Sequence, residues 1–321
     1  MKILFCGTTF ASAVGHLQQL LPQHDVVNCR NDDLISAARD AHVLIPLMAK
    51  IDSSVLQAGP PKLVQQWGVG LEGVDIDAAT KLGVKVCNVP GDVTPNADST
   101  AEHAVFLMMA LSRKIWDCFS SLRNRVWGFP VGQALFDRTA LIVGFGNVGQ
   151  ALAKKLVALG MQVDAIKRTP VSLTQRATGV RRVGSPSDLL ELAEEVDFVI
   201  STAPLTHETR NLFDMALFKR MRTSAFLVNV SRGPVVNEPD LISALKNKLI
   251  AGAGLDVFVT EPVEPDNLLL SMENVVATPH IAGVTEQNYV AIGRLVRENI
   301  LKISRQETPN YCVNLQAVTD R

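Results

Sequence analysis

The chain has 321 residues, which is long enough for two domains with cores of their own. Hydrophobic residues make up 47% of it and charged residues 20%, a composition typical of soluble globular proteins. The formal net charge is −1, so no overall field would recruit nucleic acid or an acidic membrane surface, and we expect short basic groups such as Arg181–Arg182 to be solvated.

Five cysteines are scattered along the chain without C-x-x-C spacing: Cys6, Cys29, Cys87, Cys118 and Cys312. This pattern argues against a disulfide framework and a structural metal site, and it favours a reducing compartment. The apolar core of the N-terminal stretch is too short for a signal peptide, and no apolar run reaches membrane-spanning length. We therefore expect a cytoplasmic protein without metal, membrane or nucleic-acid partners, and no appended domain after Arg321.

Residues 1–90 alternate between strand and helix patterns, which predicts βαβ units and a parallel sheet. The predicted strands are Ile3–Cys6, Asp25–Cys29, His42–Leu47, Leu63–Trp67 and Val84–Asn88. The predicted helices are Ala11–Leu21, Asp33–Ala38, Ser53–Ala58 and Ile76–Leu82. The region is therefore predicted to be an α/β domain.

A glycine-rich loop with G-x-G-x-x-G spacing, residues 68–73, follows the fourth of these strands. The helix after it is short, and Asp75 and Asp77 place negative charge at its start, which disfavours a pyrophosphate there. The loop is better suited to offering backbone N–H groups to a small anion such as a carboxylate. A glycine-rich turn without a ligand is the alternative.

The nearly all-apolar segment Thr100–Lys114 predicts a buried helix, and we place a domain boundary next to it. Ser99 and Glu102 have the spacing of a capping box at its start. The segment Ser120–Asp137 is predicted to be an irregular arm that contacts a second subunit.

The stretch Thr139–Thr169 contains the strongest motif of the chain. A buried strand is predicted at Ala140–Val143, followed by a glycine turn, a helix and a second strand at Met161–Ile166. The glycines of the turn have G-x-G-x-x-G spacing: Gly144, Gly146 and Gly149. In this βαβ context they let the backbone approach a pyrophosphate at the start of the helix, which predicts a dinucleotide site. An ordinary glycine-rich turn is the alternative.

Further strands follow at Asp197–Ser201, Ala225–Asn229, Ala253–Val257 and Val275–Ala277, and helices at Ser187–Glu195, Asp214–Met221, Glu238–Asn247 and Thr285–Ser304. Ligands of open parallel sheets bind at the carboxyl ends of the strands, and the loops there carry Arg232, Glu261 and His280. Each residue alone has an ordinary structural explanation. Beside a dinucleotide site, however, the three together predict a catalytic group.

The three side chains fit the reduction of a 2-oxo acid by hydride transfer, which needs a proton donor for the developing alkoxide and a cation for the carboxylate. His280 is the natural proton donor at neutral pH, and a neighbouring Glu261 favours its imidazolium form. Arg232 presents a planar fork that can hold the carboxylate and the keto oxygen.

Ordered motifs over nearly the whole chain resemble the D-isomer-specific 2-hydroxyacid dehydrogenase family, which includes glyoxylate/hydroxypyruvate reductases and phosphoglycerate dehydrogenases. The motifs are GVGLEGVD (68–75), Asn96 with TAEH (100–103), GFGNVG (144–149), TAPLTHET (202–209), NVSRGPVV (229–236), GLDVFVTEP (254–262) and TPHIAG (278–283). The resemblance implies two Rossmann-like or flavodoxin-like, doubly wound parallel-sheet domains. The resemblance also implies that an NAD(P)-binding domain (99–286) is inserted into a substrate domain (1–98 plus 287–321), and that two chains form a homodimer joined through the cofactor domains.

The resemblance further implies roles for individual residues. The catalytic residues are Arg232, Glu261 and His280. The substrate contacts are Val69 and Gly70 through their backbone, with Arg232, Asn96 and Lys50. The cofactor contacts, besides the three glycines of the turn, are Asn147, Val148, Ala203, Pro204, Thr209, Val230, Asp256, His280 and Gly283, with Asp256 facing the nicotinamide amide.

The chain departs from the NAD-preferring members of that family at the end of the second cofactor-domain strand. Those members carry an acidic residue there to hold the ribose 2′-hydroxyl, whereas this chain has Lys167, Arg168 and Thr169. Asp164 is nearby but lies in the middle of the predicted strand. Two cations and a hydroxyl suit a 2′-phosphate, so we predict NADP rather than NAD.

The loop after the third strand, residues 46–52, has Lys50 as its only cation. Some relatives carry arginines there that suit phosphorylated or acidic substrates. The loop therefore favours a small, glyoxylate- or hydroxypyruvate-like 2-oxo acid. The alternative is that the loop points away from the substrate and carries no specificity. Two other functions stay open: an NAD(P)-sensing binding protein of corepressor type, and a dehydrogenase of formate or phosphite.

Overall fold

The computed structural model describes residues 1–169 and 179–319. The chain divides into two compact units. The first unit consists of Met1–Pro95 with the residues from Thr285 onward, and the second unit is Asn96–Val284. The last two residues of the predicted substrate domain, 320 and 321, lie outside the described residues. The functions assigned to the two domains stay predictions.

The first unit contains a parallel sheet with the strand order β2-β1-β3-β4-β5. Its strands are β1 (Lys2–Phe5), β2 (Asp25–Asn28), β3 (Val43–Ile45), β4 (Leu63–Gln65) and β5 (Lys85–Cys87). The helices between them are α1 (Ala11–Leu20), α2 (Leu34–Ala38), α3 (Ser53–Ala58) and α4 (Ile76–Lys81), with a 3₁₀ turn at Asn31–Asp33. This strand order is that of the flavodoxin-like doubly wound fold.

The second unit contains a parallel sheet with the order β12-β11-β10-β9-β6-β7-β8. Its strands are β6 (Thr139–Val143), β7 (Gln162–Ile166), β8 (Arg182–Gly184), β9 (Phe198–Ser201), β10 (Phe226–Asn229), β11 (Gly252–Leu255) and β12 (Val275–Ala277). Its helices are α5 (Asn96–Ser112), α6 (Ile115–Arg123), α7 (Asn147–Ala158), α8 (Leu189–Ala193), α9 (Met215–Arg220), α10 (Glu238–Lys246) and α11 (Leu268–Ser271), with 3₁₀ turns at Pro186–Asp188 and Gly233–Val235. The strand order reverses between β6 and β9, as in Rossmann folds.

The chain then returns to the first unit through α12 (Glu286–Ser304) and α13 (Leu315–Thr319). Val296 and Ile300 of α12 pack in the same core as Leu17 of α1 and Phe5 of β1. The inner strands of both sheets are short apolar runs that are buried on both faces, as expected where helices cover a parallel sheet on each side. The predicted α/β class with two doubly wound sheets is confirmed.

Two local predictions were wrong at the start of the second unit. Helix α5 begins at Asn96, so Ser99 is buried within its first turn and cannot be the N-cap of a capping box. The helix packs against α7 and β10 to β12, but Phe106 and Met109 remain exposed, so it is buried on one side only.

The predicted irregular arm is partly helical. Lys114 has a φ of 52°, in the left-handed region, which ends α5 and allows α6 to start in a new direction. Helix α6 then continues through Ser120 to Arg123, and only the residues after it are irregular. Nowhere in the described ranges is a helix both long and apolar enough to cross a bilayer.

Candidate active site

Each glycine of the turn after β6 has its own structural reason. Gly144 has a φ of +105°, and a Cβ there would lie 2.5 Å from the backbone nitrogen of Ala203, which follows β9. A Cβ on Gly149 would lie 2.2 Å from the carbonyl oxygen of Gly144, so this glycine lets α7 pack closely on its own turn. A Cβ on Gly146 would meet no atom within 4 Å, so this glycine faces open space. Two glycines therefore serve the fold, and the third leaves room for a ligand.

The first turn of α7 is suited to bind an anion. Gly146 is its N-cap and provides no side-chain cap, and the first turn contains no acidic residue. At α4, by contrast, Asp75 accepts a hydrogen bond from the N–H of Ala78 (2.9 Å) and Asp77 adds a second carboxylate. The start of α7, with Asn147 and Val148, therefore has the chemistry of a pyrophosphate site, and the start of α4 does not.

The loop after β9 is held in one conformation by its own threonines. Thr202 donates a hydrogen bond from its hydroxyl to the carbonyl of Gly144. The Thr209 hydroxyl donates to the carbonyl of Pro204 (2.6 Å) and accepts from the N–H of Thr206 (2.7 Å). Ala203 is buried against the glycine turn. The predicted contacts Ala203, Pro204 and Thr209 thus lie on a rigid loop beside the switch point of the sheet.

Asp164 in β7 forms ion pairs with two arginines that come later in the chain. Asp164 is buried in the middle of β7 and is paired with Arg181 (2.5 Å) and Arg182 (2.9 Å), whose side chains are 41% and 40% exposed, so the arginines are solvated as expected and also bind a buried carboxylate. Burial raises the pKa of Asp164, but the two arginines outweigh it and lower the pKa overall. The buried Asp164 carboxylate therefore binds these two arginines.

Lys167 and Arg168 follow directly after β7, and within residues 1–169 and 179–319 neither has a carboxylate partner within 4.0 Å. Arg168 and Thr169 are exposed. The Thr206 hydroxyl, with a smaller contribution from Arg168, lowers the pKa of Glu208. The open space at Gly146, the uncapped helix and this basic pair together fit a dinucleotide.

Arg232 is positioned by the loop after β10. Asn229 accepts hydrogen bonds from the N–H (3.1 Å) and hydroxyl (2.8 Å) of Ser231 and donates to the carbonyl of Arg232 (3.1 Å). A Cβ on Gly233 would lie 1.8 Å from the carbonyl oxygen of Phe258, so glycine is required where this loop meets the loop after β11. Both loops are therefore packed against each other, and their polar residues are held on a rigid base.

His280 and Glu261 form a close pair. His280 Nδ1 lies 2.6 Å from Glu261 Oε2, while Glu261 Oε1 accepts a hydrogen bond from the N–H of Phe258 (2.8 Å). His280 has a φ of 55°, in the sparsely populated left-handed region, and its N–H donates to the carbonyl of Asp256 (2.8 Å). Because Nδ1 is committed to the carboxylate, Nε2 is the candidate ring nitrogen for proton exchange.

Asp256 anchors the loop that carries His280. Its carboxylate is buried and accepts hydrogen bonds from the Thr278 hydroxyl (2.6 Å) and from the N–H groups of Ile281 and Ala282 (2.8 Å each). Burial raises its pKa, but the hydrogen bonds from His103, Thr278 and the backbone outweigh this and lower the pKa. The predicted contact of Asp256 with the nicotinamide amide stays a prediction, as do those of Val230, which is buried after β10, and Gly283.

His103 is a further residue of the site, for which the sequence predicts no individual role. Its Nε2 lies 2.8 Å from the hydroxyl of Thr278 and 3.4 Å from the carboxylate of Asp256, so α5 supports the loop that carries the predicted proton donor. The TAEH motif contained this residue, but no local pattern connects it with positions that lie more than a hundred residues later in the chain.

The remaining predicted substrate contacts lie in different units. In the first unit, amide side chains bind the carbonyls of Val69 (Asn88 Nδ2, 2.8 Å) and Gly70 (Gln66 Nε2, 2.6 Å), which fixes the orientation of this loop. Lys50, in the same unit, is 82% exposed and lies 4.0 Å from a carboxylate oxygen of Asp52. Asn96 is the first residue of α5 in the second unit. Their substrate roles stay predictions.

Comparison with known proteins settles the family. The profile of the D-isomer specific 2-hydroxyacid dehydrogenase, NAD binding domain, matches residues 105–282. The chain belongs to the D-isomer specific 2-hydroxyacid dehydrogenase family. A relative named glyoxylate reductase from Korarchaeum cryptofilum is 36% identical over 299 residues, which cover 90% of this chain and 87% of the relative.

Solved structures of this family superpose on almost the whole chain. The NADPH-dependent glyoxylate/hydroxypyruvate reductase from Sinorhizobium meliloti, in complex with NADP and malonate, has a TM-score of 0.82 and 29% identity, covering 97% of this chain and 96% of that one. The D-lactate dehydrogenase of Escherichia coli has a TM-score of 0.83 and 27% identity, covering 98% of this chain and 100% of that one. This dehydrogenase is therefore an NAD(P)-dependent oxidoreductase that acts on 2-hydroxy acids, and the family predicted from the motifs is confirmed.

Proposed function

We propose that this dehydrogenase reduces a small 2-oxo acid of the glyoxylate or hydroxypyruvate type, with His280 as the proton donor. The observation that carries the proposal is the pair of His280 Nδ1 and Glu261 Oε2 at 2.6 Å, held on two loops at the carboxyl edge of the sheet. The relative named glyoxylate reductase and the glyoxylate/hydroxypyruvate reductase structure support this substrate class.

The proposed roles follow from the contacts of each side chain. The dinucleotide, when bound, supplies the hydride. Glu261 orients the imidazole and stabilises its protonated form, so that Nε2 can deliver a proton to the developing alkoxide. Arg232, whose Nη1 donates to the carbonyl of Ser231 (2.8 Å), is held in place to bind the substrate carboxylate.

The test is a panel of glyoxylate, hydroxypyruvate, pyruvate and phenylpyruvate, run with NADPH and with NADH. His280→Ala should lower kcat about 10²–10⁴-fold, because general acid catalysis contributes about that much. Its Kd for NADPH should stay within about twofold of the wild-type value. Turnover close to the wild-type rate in that variant would remove His280 from the role, and failure to reduce any of the four acids would refute the substrate class.

We also propose that NADP is the preferred cofactor, bound through its 2′-phosphate by Lys167, Arg168 and Thr169. Two features support this: Asp164 is paired with two arginines, and Lys167 and Arg168 follow β7 where a carboxylate would hold a ribose diol. Arg168→Asp should lower the ratio of kcat/KM for NADPH to that for NADH by about tenfold or more. Arg305→Asp, an exposed arginine of the first unit, is the charge-matched control. An unchanged ratio in Arg168→Asp would refute the assignment.

We further propose a homodimer formed through an apolar surface on the second unit. We define this arm surface by exposed side chains that start on α6: Trp116, Phe119, Leu122, Val126, Trp127, Phe129, Val131 and Phe136. Trp127 is 84% exposed, and so many exposed apolar side chains in one short segment favour a contact with another protein surface. Sedimentation should give about twice the chain mass of 34.8 kDa, and Leu122→Glu should give the monomer. Ile35→Glu, an exposed apolar residue of the first unit, should leave the dimer intact. A monomeric wild type would refute the proposal.

We propose a cytoplasmic location, for which the five free cysteines give support, because thiols persist in a reducing compartment. Fractionation of the native cells, followed by immunodetection, tests this. Recovery of the protein in an oxidising extracellular or periplasmic fraction would refute it.

A further inference from the structure

Two cysteines of the first unit lie opposite each other at the edge of its sheet. Cys87 is the last residue of β5, and Cys312 belongs to the C-terminal segment, where the two residues form an isolated antiparallel bridge. We propose that Cys87 and Cys312 are a redox-sensitive dithiol, whose oxidation to a disulfide covalently joins the two stretches of chain that build the first unit. Neither residue belongs to the proposed active site, and the inference does not depend on it.

The backbone register suits a disulfide. The N–H of Val313 donates to the carbonyl of Val86 (2.8 Å), so the residues flanking the pair carry the hydrogen bond, and Cys87 and Cys312 form a non-hydrogen-bonded pair. In such pairs the Cα atoms are about 4.5 Å apart and both side chains lie on the same face. Disulfides need Cα separations of about 4.4–6.8 Å, so this register is compatible with a disulfide.

The two thiols differ in a way that assigns the nucleophile. Cys87 is completely buried, whereas Cys312 is only partly buried. The neighbouring Cys87 thiol lowers the pKa of Cys312, aided by nearby backbone groups, whereas Cys312 and burial raise the pKa of Cys87. Because the thiolate is the reactive form, Cys312 attacks first and Cys87 resolves.

Cys6 and Cys29 provide an internal comparison. They directly follow Phe5 and Asn28, which are paired in the parallel register of β1 and β2. Their thiols donate to the carbonyls of Leu4 (3.6 Å) and Phe5 (3.8 Å), and burial raises the pKa of both. These two cysteines therefore lack the thiolate character that Cys312 has.

The disulfide would strengthen a junction that otherwise depends on hydrogen bonds. Asn314 accepts from the N–H of Val86 (2.9 Å) and donates to the carbonyl of Val84 and the hydroxyl of Thr80 (2.9 Å each). These bonds dock the C-terminal segment on β5, which is the last strand of the sheet order. A covalent bond between Cys87 and Cys312 would keep that segment docked when the sheet edge opens.

The reaction balances with a low-molecular-weight disulfide such as oxidised glutathione as the oxidant. The Cys312 thiolate attacks one sulfur of oxidised glutathione, the glutathione S–S bond breaks, and one glutathione leaves as a thiolate. Cys87, losing its proton to solvent, then attacks the Cys312 sulfur and releases the second glutathione. Two cysteine thiols are oxidised to one disulfide, and one oxidised glutathione is reduced to two thiols.

The test treats the full chain with oxidised glutathione and counts thiols in denaturant, followed by peptide mapping without reductant. Wild type should fall from five thiols to three and yield one peptide pair that links Cys87 to Cys312. Cys312→Ser should keep its four thiols, and Cys6→Ser, the matched control, should still lose two. The midpoint of thermal unfolding should rise by about 5 °C or more on oxidation in wild type and Cys6→Ser, and not in Cys312→Ser.

Three results would overturn the proposal. The first is a wild type that keeps five thiols, and the second is a crosslink at Cys6–Cys29 in place of Cys87–Cys312. The third is a stable glutathione adduct on Cys312 without the intramolecular bond. A Cys87–Cys312 crosslink that leaves the unfolding midpoint unchanged would refute the strengthening of the junction. Because the readouts are covalent and thermal, they are independent of any enzyme assay.

Discussion

Substitution of the second glycine of the turn separates the fold from the cofactor site. A Cβ on Gly146 would meet no protein atom within 4 Å, whereas one on Gly149 would lie 2.2 Å from a backbone carbonyl. Gly146→Ala should therefore leave the fold intact and obstruct the space where we place the pyrophosphate. Gly149→Ala should disturb the fold itself.

The expected size of both effects follows from these distances. Alanine is a poorer N-cap than glycine, so Gly146→Ala should cost about 1 kcal/mol of unfolding free energy at most, or about 2–4 °C in the unfolding midpoint. A methyl group forced into a close contact costs about 1–3 kcal/mol, which corresponds to about a 5- to 150-fold increase in Kd for NADPH. In Gly149→Ala the same cost falls on the free energy of unfolding, because the methyl group meets the carbonyl of Gly144.

The two variants are compared by thermal unfolding without cofactor and by calorimetric titration with NADPH. Gly15→Ala is the matched control, since a Cβ there also meets no atom within 4 Å but lies on α1 of the first unit. It should change the free energy of unfolding by no more than about 1 kcal/mol and should leave the Kd for NADPH unchanged. Wild-type affinity in Gly146→Ala would refute the placement of the pyrophosphate. A loss of stability as large as that of Gly149→Ala would refute the claim that Gly146 faces open space.

Three further substitutions test the surrounding residues. Glu261→Gln removes the charge beside His280 and should lower kcat/KM about 5- to 30-fold with an unchanged Kd for NADPH; equal losses in both would indicate misfolding. Asp256→Asn should cost about 2–3 kcal/mol at pH 7. The pKa of Asp256 is lowered in the folded state, so the difference in free energy of unfolding between wild type and Asp256→Asn should be complete above the unfolded pKa of about 4. This difference should shrink as the pH falls below that value. A difference in urea unfolding that does not depend on pH would contradict the reasoning. Asp164→Asn should cost about 1–3 kcal/mol without altering the NADPH-to-NADH preference, and an altered preference would place Asp164 in the ribose site.

Local periodicity was sufficient for most of the helices and strands, because an apolar strand or an amphipathic helix is determined by residues a few positions apart. The predicted boundaries of α5 and α6 were wrong because local patterns do not show where the chain turns. Ser99 is a residue type typical of an N-cap, but the helix starts three residues earlier. The left-handed Lys114, which separates the two helices, has no distinct local signal. The choice between the two G-x-G-x-x-G loops needed only neighbouring charges, and the caps of α4 and α7 agree with it.

Residue types at short spacing were enough to predict the α/β class, the dinucleotide turn, the family and the three candidate catalytic residues. Which distant groups meet became visible only in the folded chain. There His280 lies against Glu261, Asp164 against Arg181 and Arg182, His103 against the anchor of the His280 loop, and Cys87 against Cys312. Local patterns miss these pairs because the order of strands in a sheet brings together positions that are far apart in the chain. Interactions at that range leave no trace in local composition.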